Sequence, residues 1–224
     1  MTNNYRSFIC GIKNIKLTKG EINFLKKYKP WGIILFSRNI KTIKQTQKLT
    51  KSIKKIFKNN NYPIIIDEEG GRVSRLRKFL DNSTFTAKYF GDMFSKDRKK
   101  FNIYFKVYVK QISYLLRLLG ININTVPVLD LRRNKGHNII GDRSYSSKMN
   151  VISKISDICI NKFHNNRIGT VIKHIPGHGL SKVDSHINLP IINKNLSYLL
   201  KNDFKLFKKK SSLKKGVLFV KELF

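Results

Sequence analysis

The chain has 224 residues, enough for one domain with a sizeable core, and its formal net charge is +33. No apolar run approaches the roughly 20 residues that span a bilayer, and the N-terminus lacks an export signal. We therefore expect a cytoplasmic protein with no membrane partner. The lysines are spread over the whole chain without a nucleic-acid recognition motif, so nucleic acid is not an expected partner either.

Short β-branched runs alternate with longer amphipathic stretches, which is the pattern of βα units around a parallel sheet. The predicted strands, in chain order, are Phe8–Ile12, Gly32–Phe36, Pro63–Asp67, Ile121–Val128 and Thr170–Lys173, with Gly216–Val220 as a sixth candidate. The S/T-x-x-E/Q spacing predicts capping boxes, each opening a helix, at Thr18 with Glu21 and at Thr42 with Gln45. Further helices are expected at Phe101–Leu119, Val151–Asn165 and Leu196–Lys209.

Polar residues cluster where three of these strands end. Asp67 opens the first cluster, together with two glutamates, Asp130 marks the second, and Lys173 with His174 forms the third. In a parallel αβ barrel the carboxyl ends of all strands open onto one face, where ligands bind. A doubly wound sheet also binds ligands beyond its carboxyl ends, so the clusters alone leave both architectures open.

His174 and His178 have the i, i+4 spacing of a zinc-binding helix. Pro176, Gly177 and Gly179 interrupt any helix at this point. We therefore predict no metal site and interpret the segment as a loop that displays its imidazoles.

Asp184 and His186 lie two residues apart in the same loop. The carboxylate could accept a hydrogen bond from one ring nitrogen and fix the tautomer, which leaves the other nitrogen to transfer a proton near neutral pH. A surface loop with incidental histidines is the alternative interpretation.

Four blocks of sequence, taken together, resemble glycoside hydrolase family 3, in particular its bacterial β-N-acetylglucosaminidase branch. The blocks are GIILFSRN at 32–39, DEEGGRVSRLR at 67–77, PVLDL with IGDRSYS at 127–131 and 140–146, and KHIPGHG with DSH at 173–179 and 184–186. The resemblance extends from about Phe8 to Phe207 and implies an α/β fold: an incomplete (β/α)8 TIM-type barrel with roughly the first five to six βα units. It further implies hydrolysis of terminal β-linked N-acetylglucosamine from cell-wall muropeptide fragments, without a cofactor or metal.

The resemblance also implies a role for each matching residue. The positions that hold the sugar hydroxyls match Asp67, Arg75, Arg143, Lys173 and His174. His186 matches the general acid/base and Asp184 its orienting partner, a dyad in place of the second carboxylate that most retaining glycosidases use. A salt bridge with Asp67 or Asp142 is the alternative role for the two arginines.

The C-terminal residues depart from the family pattern. We assign residues 1–213 to a partial family 3 N-terminal barrel domain and 214–224 to an atypical tail. The nucleophilic aspartate of the family matches no residue, because GVLFVKEL at 216–223 offers Glu222 as its one carboxylate, a weak candidate. A reading-frame change or a deletion would produce such a tail, and a catalytically inactive fragment or weak sugar-binding remnant is the alternative function. Phosphorolysis instead of hydrolysis also stays open.

Overall fold

The structure of the chain is a computed structural model that describes residues 5–133, 139–181, 189, 191–211 and 217–221, with the backbone alone for 211 and 217–221. Its strands form one sheet in which every neighbouring pair is parallel. They are β1 (Arg6–Gly11), β2 (Pro30–Leu35), β3 (Ile64–Ile66), β4 (Ile123–Asn124), β5 (Gly169–Ile175) and β6 (Val217–Lys221).

The order of the strands in the sheet is their order in the chain. A doubly wound sheet would reverse its strand order at a switch point, whereas a (β/α)8 barrel adds each new strand on the same side. The predicted fold class, an incomplete (β/α)8 barrel of five to six units, is therefore confirmed.

The helices lie between successive strands, on the outside of the sheet. They are α1 (Lys19–Tyr28), α2 (Ile43–Ile56), α3 (Ala87–Lys96), α4 (Arg98–Leu118), α5 (Met149–Asn165), α6 (Leu196–Lys201) and α7 (Asp203–Ser211). None of the helices within the described ranges is long and apolar enough to cross a bilayer.

The two predicted capping boxes differ in the structure. At α1 the box is complete, because Thr18 accepts from the backbone of Glu21 while the Glu21 carboxylate accepts from the backbone of Thr18. At α2 the Thr42 hydroxyl accepts from the Gln45 backbone, but the Gln45 side chain accepts from Lys41, one residue before the cap. The second prediction is thus right about the start of the helix and wrong about the reciprocal bond.

Two predicted elements need correction, and one helix was missed. The fourth strand is only Ile123–Asn124 instead of Ile121–Val128, because Val126 donates back to Asn124 in a turn and the next residue, Pro127, has no N–H to donate.

The helix predicted at Leu196–Lys209 is two helices. It breaks at Asn202, whose side chain bonds the carbonyl of Tyr198 and so competes with the helical backbone.

Helix α3 was not predicted. It contains Gly91, which lowers helix propensity. That glycine packs so closely on the Tyr145 carbonyl that a Cβ atom would lie 1.7 Å from its oxygen, so tertiary packing outweighs propensity here.

The main core fills the space between the sheet and the outer helices. Ile53, Ile64, Phe101 and Ile112 are among its fully buried members. A second, smaller cluster on the opposite face of the sheet contains Ile65, Ile123 and Val171, because successive side chains of a strand point to opposite faces. Burial on both faces fixes the register of the strands, and this register brings the carboxyl ends of β3, β4 and β5 together.

Candidate active site

Lys173, near the end of β5, is the cation at the centre of the candidate site. Its ammonium lies 3.0 Å from Asp67 Oδ1, 2.5 Å from Glu69 Oε1 and 2.8 Å from Thr125 Oγ1. Thr125 also donates to Asp67. A lysine ammonium has three donors and no acceptor, so these three oxygens satisfy a lysine that is almost wholly buried.

Arg143 adds a second cation to the same carboxylates. It ends the short 3-10 helix Gly141–Arg143 and binds Glu69 through two parallel bonds, Nε to Oε2 at 2.8 Å and Nη2 to Oε1 at 2.9 Å. Such bidentate pairs are stronger and more specific in geometry than single hydrogen bonds. Arg143 Nη2 also lies 2.8 Å from His174 Nε2, which links the carboxylates to the carboxyl end of β5.

Asp130 holds the imidazole of His174 in place. The Asp130 Oδ2 atom lies 2.5 Å from His174 Nδ1 and accepts from the His174 backbone, while Oδ1 accepts from the backbone of His178 at 2.6 Å. With the proton on Nδ1, the Nε2 atom of His174 is the acceptor for Arg143. A fully buried carboxylate thereby sets the tautomer of His174, which lies in β5, and the path of the loop that follows. The prediction that this segment displays its imidazoles is wrong, because His174 and His178 are both buried against Asp130.

The neighbouring cations control the ionisation of these acids. Burial opposes the charge on Glu69, but Lys173 and Arg143 outweigh it and lower the pKa of Glu69 to about 2. Burial likewise opposes ionisation of Asp67, yet the charge of Lys173 and the hydrogen bond from Thr125 hold its pKa well below the usual range. The pKa of Asp130 is lowered against its burial by His174. All three are therefore carboxylates at neutral pH.

Glu68, unlike these three acids, is surrounded by neutral hydrogen-bond donors. Its carboxylate accepts from the backbones of Arg75 and Leu76 at 2.7 and 3.0 Å and from the amide of Asn82 at 2.6 Å. Burial raises the pKa of Glu68 because these donors carry no net charge and only partly offset the lost water. Glu68 thus fixes the loop that carries Arg75.

A tight turn at Gly70 and Gly71 opens that loop. Their φ angles are +87° and +59°, values that favour glycine. The turn explains the two consecutive glycines of the DEEGG segment.

The five residues predicted to bind sugar form two groups of contacts, which Glu69 joins by binding both Lys173 and Arg143. Lys173 touches Asp67, and Arg143 touches His174, as described above. Arg75 Nη2 lies 3.6 Å from Asp67 Oδ2. Asp67 and Arg75 are the most exposed of the set, with 20% and 26% of their side-chain surface accessible.

The structure also bears on the alternative role of the two arginines. Arg75 does lie beside Asp67. Arg143, by contrast, pairs with Glu69, and Asp142 pairs with Arg72 at 2.9 Å.

Sequence reasoning assigned no role to Glu69, Thr125 or Asp130. For Glu69 and Asp130 the signal was their place beside strand ends in the matching blocks, whereas Thr125 lies outside those blocks. Only the fold reveals that Glu69 turns towards Lys173 while Glu68 turns away.

Three predicted catalytic positions, Asp184, His186 and Glu222, lie outside the described residues, so the acid/base and nucleophile assignments stay predictions. Within the described ranges, no group of three or more His, Cys, Asp or Glu side chains is arranged to hold a metal ion.

The fold is a partial αβ barrel that carries a network of charged side chains at the carboxyl ends of its strands. The sequence profile of the glycosyl hydrolase family 3 N terminal domain matches residues 9–220. The chain belongs to this family.

Individual relatives agree with the family match. A β-hexosaminidase from Haemophilus ducreyi is 31% identical over 207 residues, which cover 89% of this chain and 56% of the relative. A β-hexosaminidase from Xanthomonas campestris is 27% identical over 195 residues, covering 87% of this chain and 58% of the relative. The crystal structure of NagZ from Neisseria gonorrhoeae in complex with N-trifluoroacetyl-D-glucosamine superposes with a TM-score of 0.81 at 27% identity, covering 98% of this chain and 63% of that one. The chain thus spans just over half the length of these two curated relatives.

Proposed function

We propose that this chain supplies the sugar-binding part of an exo-β-N-acetylglucosaminidase. The proposed reaction releases terminal, non-reducing β-linked N-acetylglucosamine from cell-wall muropeptide fragments in the cytoplasm, with retention of configuration. The observation that carries the proposal is the joined network of Asp67, Lys173, Glu69, Arg143 and His174 at the carboxyl edge of the sheet. It is supported by two relatives named β-hexosaminidase and by a similar structure solved with a derivative of glucosamine.

The network suits sugar hydroxyl groups. Asp67 accepts hydrogen bonds and Arg75 donates them, and both keep part of their surface accessible. Hydrogen bonds to charged partners are stronger than bonds between neutral groups. Lys173, Arg143 and His174 are more deeply buried and are held by several partners each. Lys173 and His174 use their donors inside the network, which holds Asp67 in a fixed position and lowers the entropy lost when a ligand binds.

The chemical step rests on the family resemblance. His186 would protonate the leaving oxygen while a carboxylate attacks the anomeric carbon, and would then take a proton from the water that releases the sugar. Asp184 would orient the imidazole. No cofactor is needed for this chemistry.

A second candidate function is sugar binding without turnover. It is favoured by one observation. Cations or hydrogen-bond donors engage every carboxylate described at this edge, namely Asp67, Glu68, Glu69 and Asp130. A carboxylate held in this way is a poor nucleophile. Turnover would then require a carboxylate from residues other than these four.

An assay with a chromogenic N-acetylglucosaminide separates the two candidates. If the chain is an enzyme, we expect turnover that falls by about 10²- to 10⁴-fold in His186→Ala, the usual contribution of general acid/base catalysis. The control is His164→Gln. His164 lies on α5 and bonds Thr170 of β5, away from the network, so this variant should keep its activity.

Calorimetric titration with N-acetylglucosamine completes the test. Binding that is lost in Asp67→Asn, with no turnover in the parent chain, would support the second candidate. Neither binding nor turnover in a folded protein would refute both.

A further inference from the structure

The outer face of α4 carries apolar side chains that the fold leaves uncovered. Ile103, Tyr104, Val107 and Tyr114 have 63%, 48%, 50% and 59% of their surface exposed. At about 100° per residue, Ile103, Val107 and Tyr114 lie within roughly 40° of one another around the helix, and Tyr104 extends the same stripe. We call these four residues the apolar stripe.

A small cavity adjoins the apolar stripe. It lies between α3 and α4 and has a volume of about 290 Å³. Phe85, Phe90, Tyr108 and Gln111 line it together with three members of the stripe, so that its lining is mostly apolar. The exposed apolar surface is therefore continuous with a recess that could receive hydrocarbon.

A row of lysines runs along the other side of the apolar stripe. Lys99, Lys106 and Lys110 are exposed and follow at spacings of seven and four residues, which places them on one line of the helix. We call them the basic row. Lys100 lies over the ring of Tyr104, 5.7 Å from its centroid. No acidic residue occurs between Arg98 and Leu118, so nothing on α4 itself neutralises this row.

The chemistry of this face identifies its occupant. Isolated exposed apolar residues are common, but a continuous stripe beside a recess marks an interaction surface. A second copy of the chain is a poor partner because both would carry a net charge of +33. Duplex nucleic acid would satisfy the basic row but would leave Ile103 and Val107 against a charged backbone. An anionic bilayer offers both acyl chains and negative head groups, and tyrosine is favoured at such interfaces.

We propose that the outer face of α4 binds the surface of an anionic lipid bilayer, with the apolar stripe entering the head-group boundary and the basic row on the lipid phosphates. The proposal departs from the expectation of no membrane partner, which rested on the absence of a spanning segment; peripheral binding needs no membrane-spanning helix. It does not depend on the proposed glycosidase function, because α4 lies on the outside of the barrel and the sugar site lies at the carboxyl edge of the sheet.

Sedimentation with vesicles tests the proposal. The full chain should bind vesicles of equal parts phosphatidylcholine and phosphatidylglycerol, and should not bind phosphatidylcholine alone. The triple variant Lys99→Gln, Lys106→Gln, Lys110→Gln should bind about 100-fold more weakly, since each lysine near an anionic surface contributes on the order of 1 kcal/mol. The triple variant Ile103→Ser, Val107→Ser, Tyr114→Ser should bind vesicles at least about tenfold more weakly, since binding scales with buried apolar area.

Helix α2 provides the matched control. Lys44, Lys48 and Lys55 are exposed there, while Leu49 and Ile53 of α2 are buried, so this helix offers charge without an apolar stripe. Replacing these three lysines with glutamine removes the same charge. It should weaken vesicle binding by no more than about threefold, because charges beyond a Debye length of the surface are screened.

Each other outcome would overturn the proposal. Equal losses in the two lysine variants would mean that net charge alone attracts the protein. Unchanged binding in the serine variant would mean that the apolar stripe does not insert. Preferential loss of duplex DNA binding in the Lys99, Lys106 and Lys110 variant, with vesicle binding intact, would assign this face to nucleic acid. Circular dichroism and urea unfolding of each variant check that the fold is kept, and the single variants Val107→Ser and Lys106→Gln repeat the test with minimal change.

Discussion

Glu68 and Glu69 are neighbours in the chain and both are buried, yet they belong to different regions of the molecule. Glu68 faces neutral donors, two backbone N–H groups and the amide of Asn82. Glu69 faces the cations Lys173 and Arg143. Burial consequently raises the pKa of Glu68, whereas the cations lower the pKa of Glu69 to about 2.

Glu68 thus supports a loop, whereas Glu69 belongs to the charged network of the candidate site. Neutral donors fix the path of a loop without requiring a charge on the carboxyl group. Opposite charges held together at a partly open edge are the arrangement that the proposed sugar site requires. Substitutions of Glu68 should therefore affect stability at all pH values, whereas substitutions in the network around Glu69 should affect the pH dependence of stability and the binding of sugar.

The largest effect is expected for Glu68→Ala. This change leaves three buried donors without an acceptor, so the free energy of unfolding should fall by about 3 to 5 kcal/mol. Glu68→Gln should cost only about 1 kcal/mol, because Gln keeps an oxygen for the backbone donors and Asn82 can turn its amide over. Urea unfolding measures both, and equal losses for the two variants would contradict the structural role assigned to Glu68.

The next largest loss of stability is expected for Glu69→Gln. The shift of the Glu69 pKa from 4.5 to about 2 corresponds to about 3 kcal/mol of stability at pH 7. A depressed pKa stabilises the fold fully above about pH 4.5, and this contribution is lost as the pH falls towards 2. The difference in unfolding free energy between parent and variant should therefore shrink over that window.

Unfolding at several pH values between 7 and 2 checks this expectation. Asp92→Asn is the control, since Asp92 forms an exposed pair with Lys88 on α3. A difference between parent and Glu69→Gln that stays constant down to pH 2 would show that the cations do not hold Glu69 ionised.

A smaller effect is expected for Arg143→Lys. The charge is kept, but the two parallel bonds to Glu69 and the contact with His174 cannot all be made by one ammonium. Affinity for N-acetylglucosamine should fall about tenfold, the loss of one charge-assisted hydrogen bond. Calorimetry measures it beside Arg72→Lys, which changes the pair with Asp142, and an equal loss in both would place Arg143 outside the sugar site.

The smallest effect is expected for Lys88→Gln. Lys88 and Asp92 form an i, i+4 pair on the exposed face of α3, and such pairs contribute no more than about 0.5 kcal/mol. Thermal unfolding in low and high salt should show little change. A loss above about 1 kcal/mol would show that exposed pairs cannot serve as a baseline for the buried network.

The sequence allowed several parts of the site to be predicted because those parts are local. Polar clusters follow β-branched runs at Asp67, Asp130 and Lys173, and a parallel sheet must bring such ends together. Thr18 opens a helix through contacts only three residues away. The two glycines at 70 and 71 lie in a turn that their own backbone permits.

The partners of each side chain, however, depend on contacts between distant positions. Glu68 and Glu69 point in opposite directions only once the sheet has formed. The same holds for the pairing of Arg143 with Glu69, 74 residues apart, and for the bond of Lys173 to Asp67, 106 residues apart. Local sequence signals carry no information on such contacts, because the free energy that selects them comes from packing and burial elsewhere in the barrel. The sequence by itself determined which residues reach the carboxyl edge, and the tertiary structure alone decided which of them face a cation.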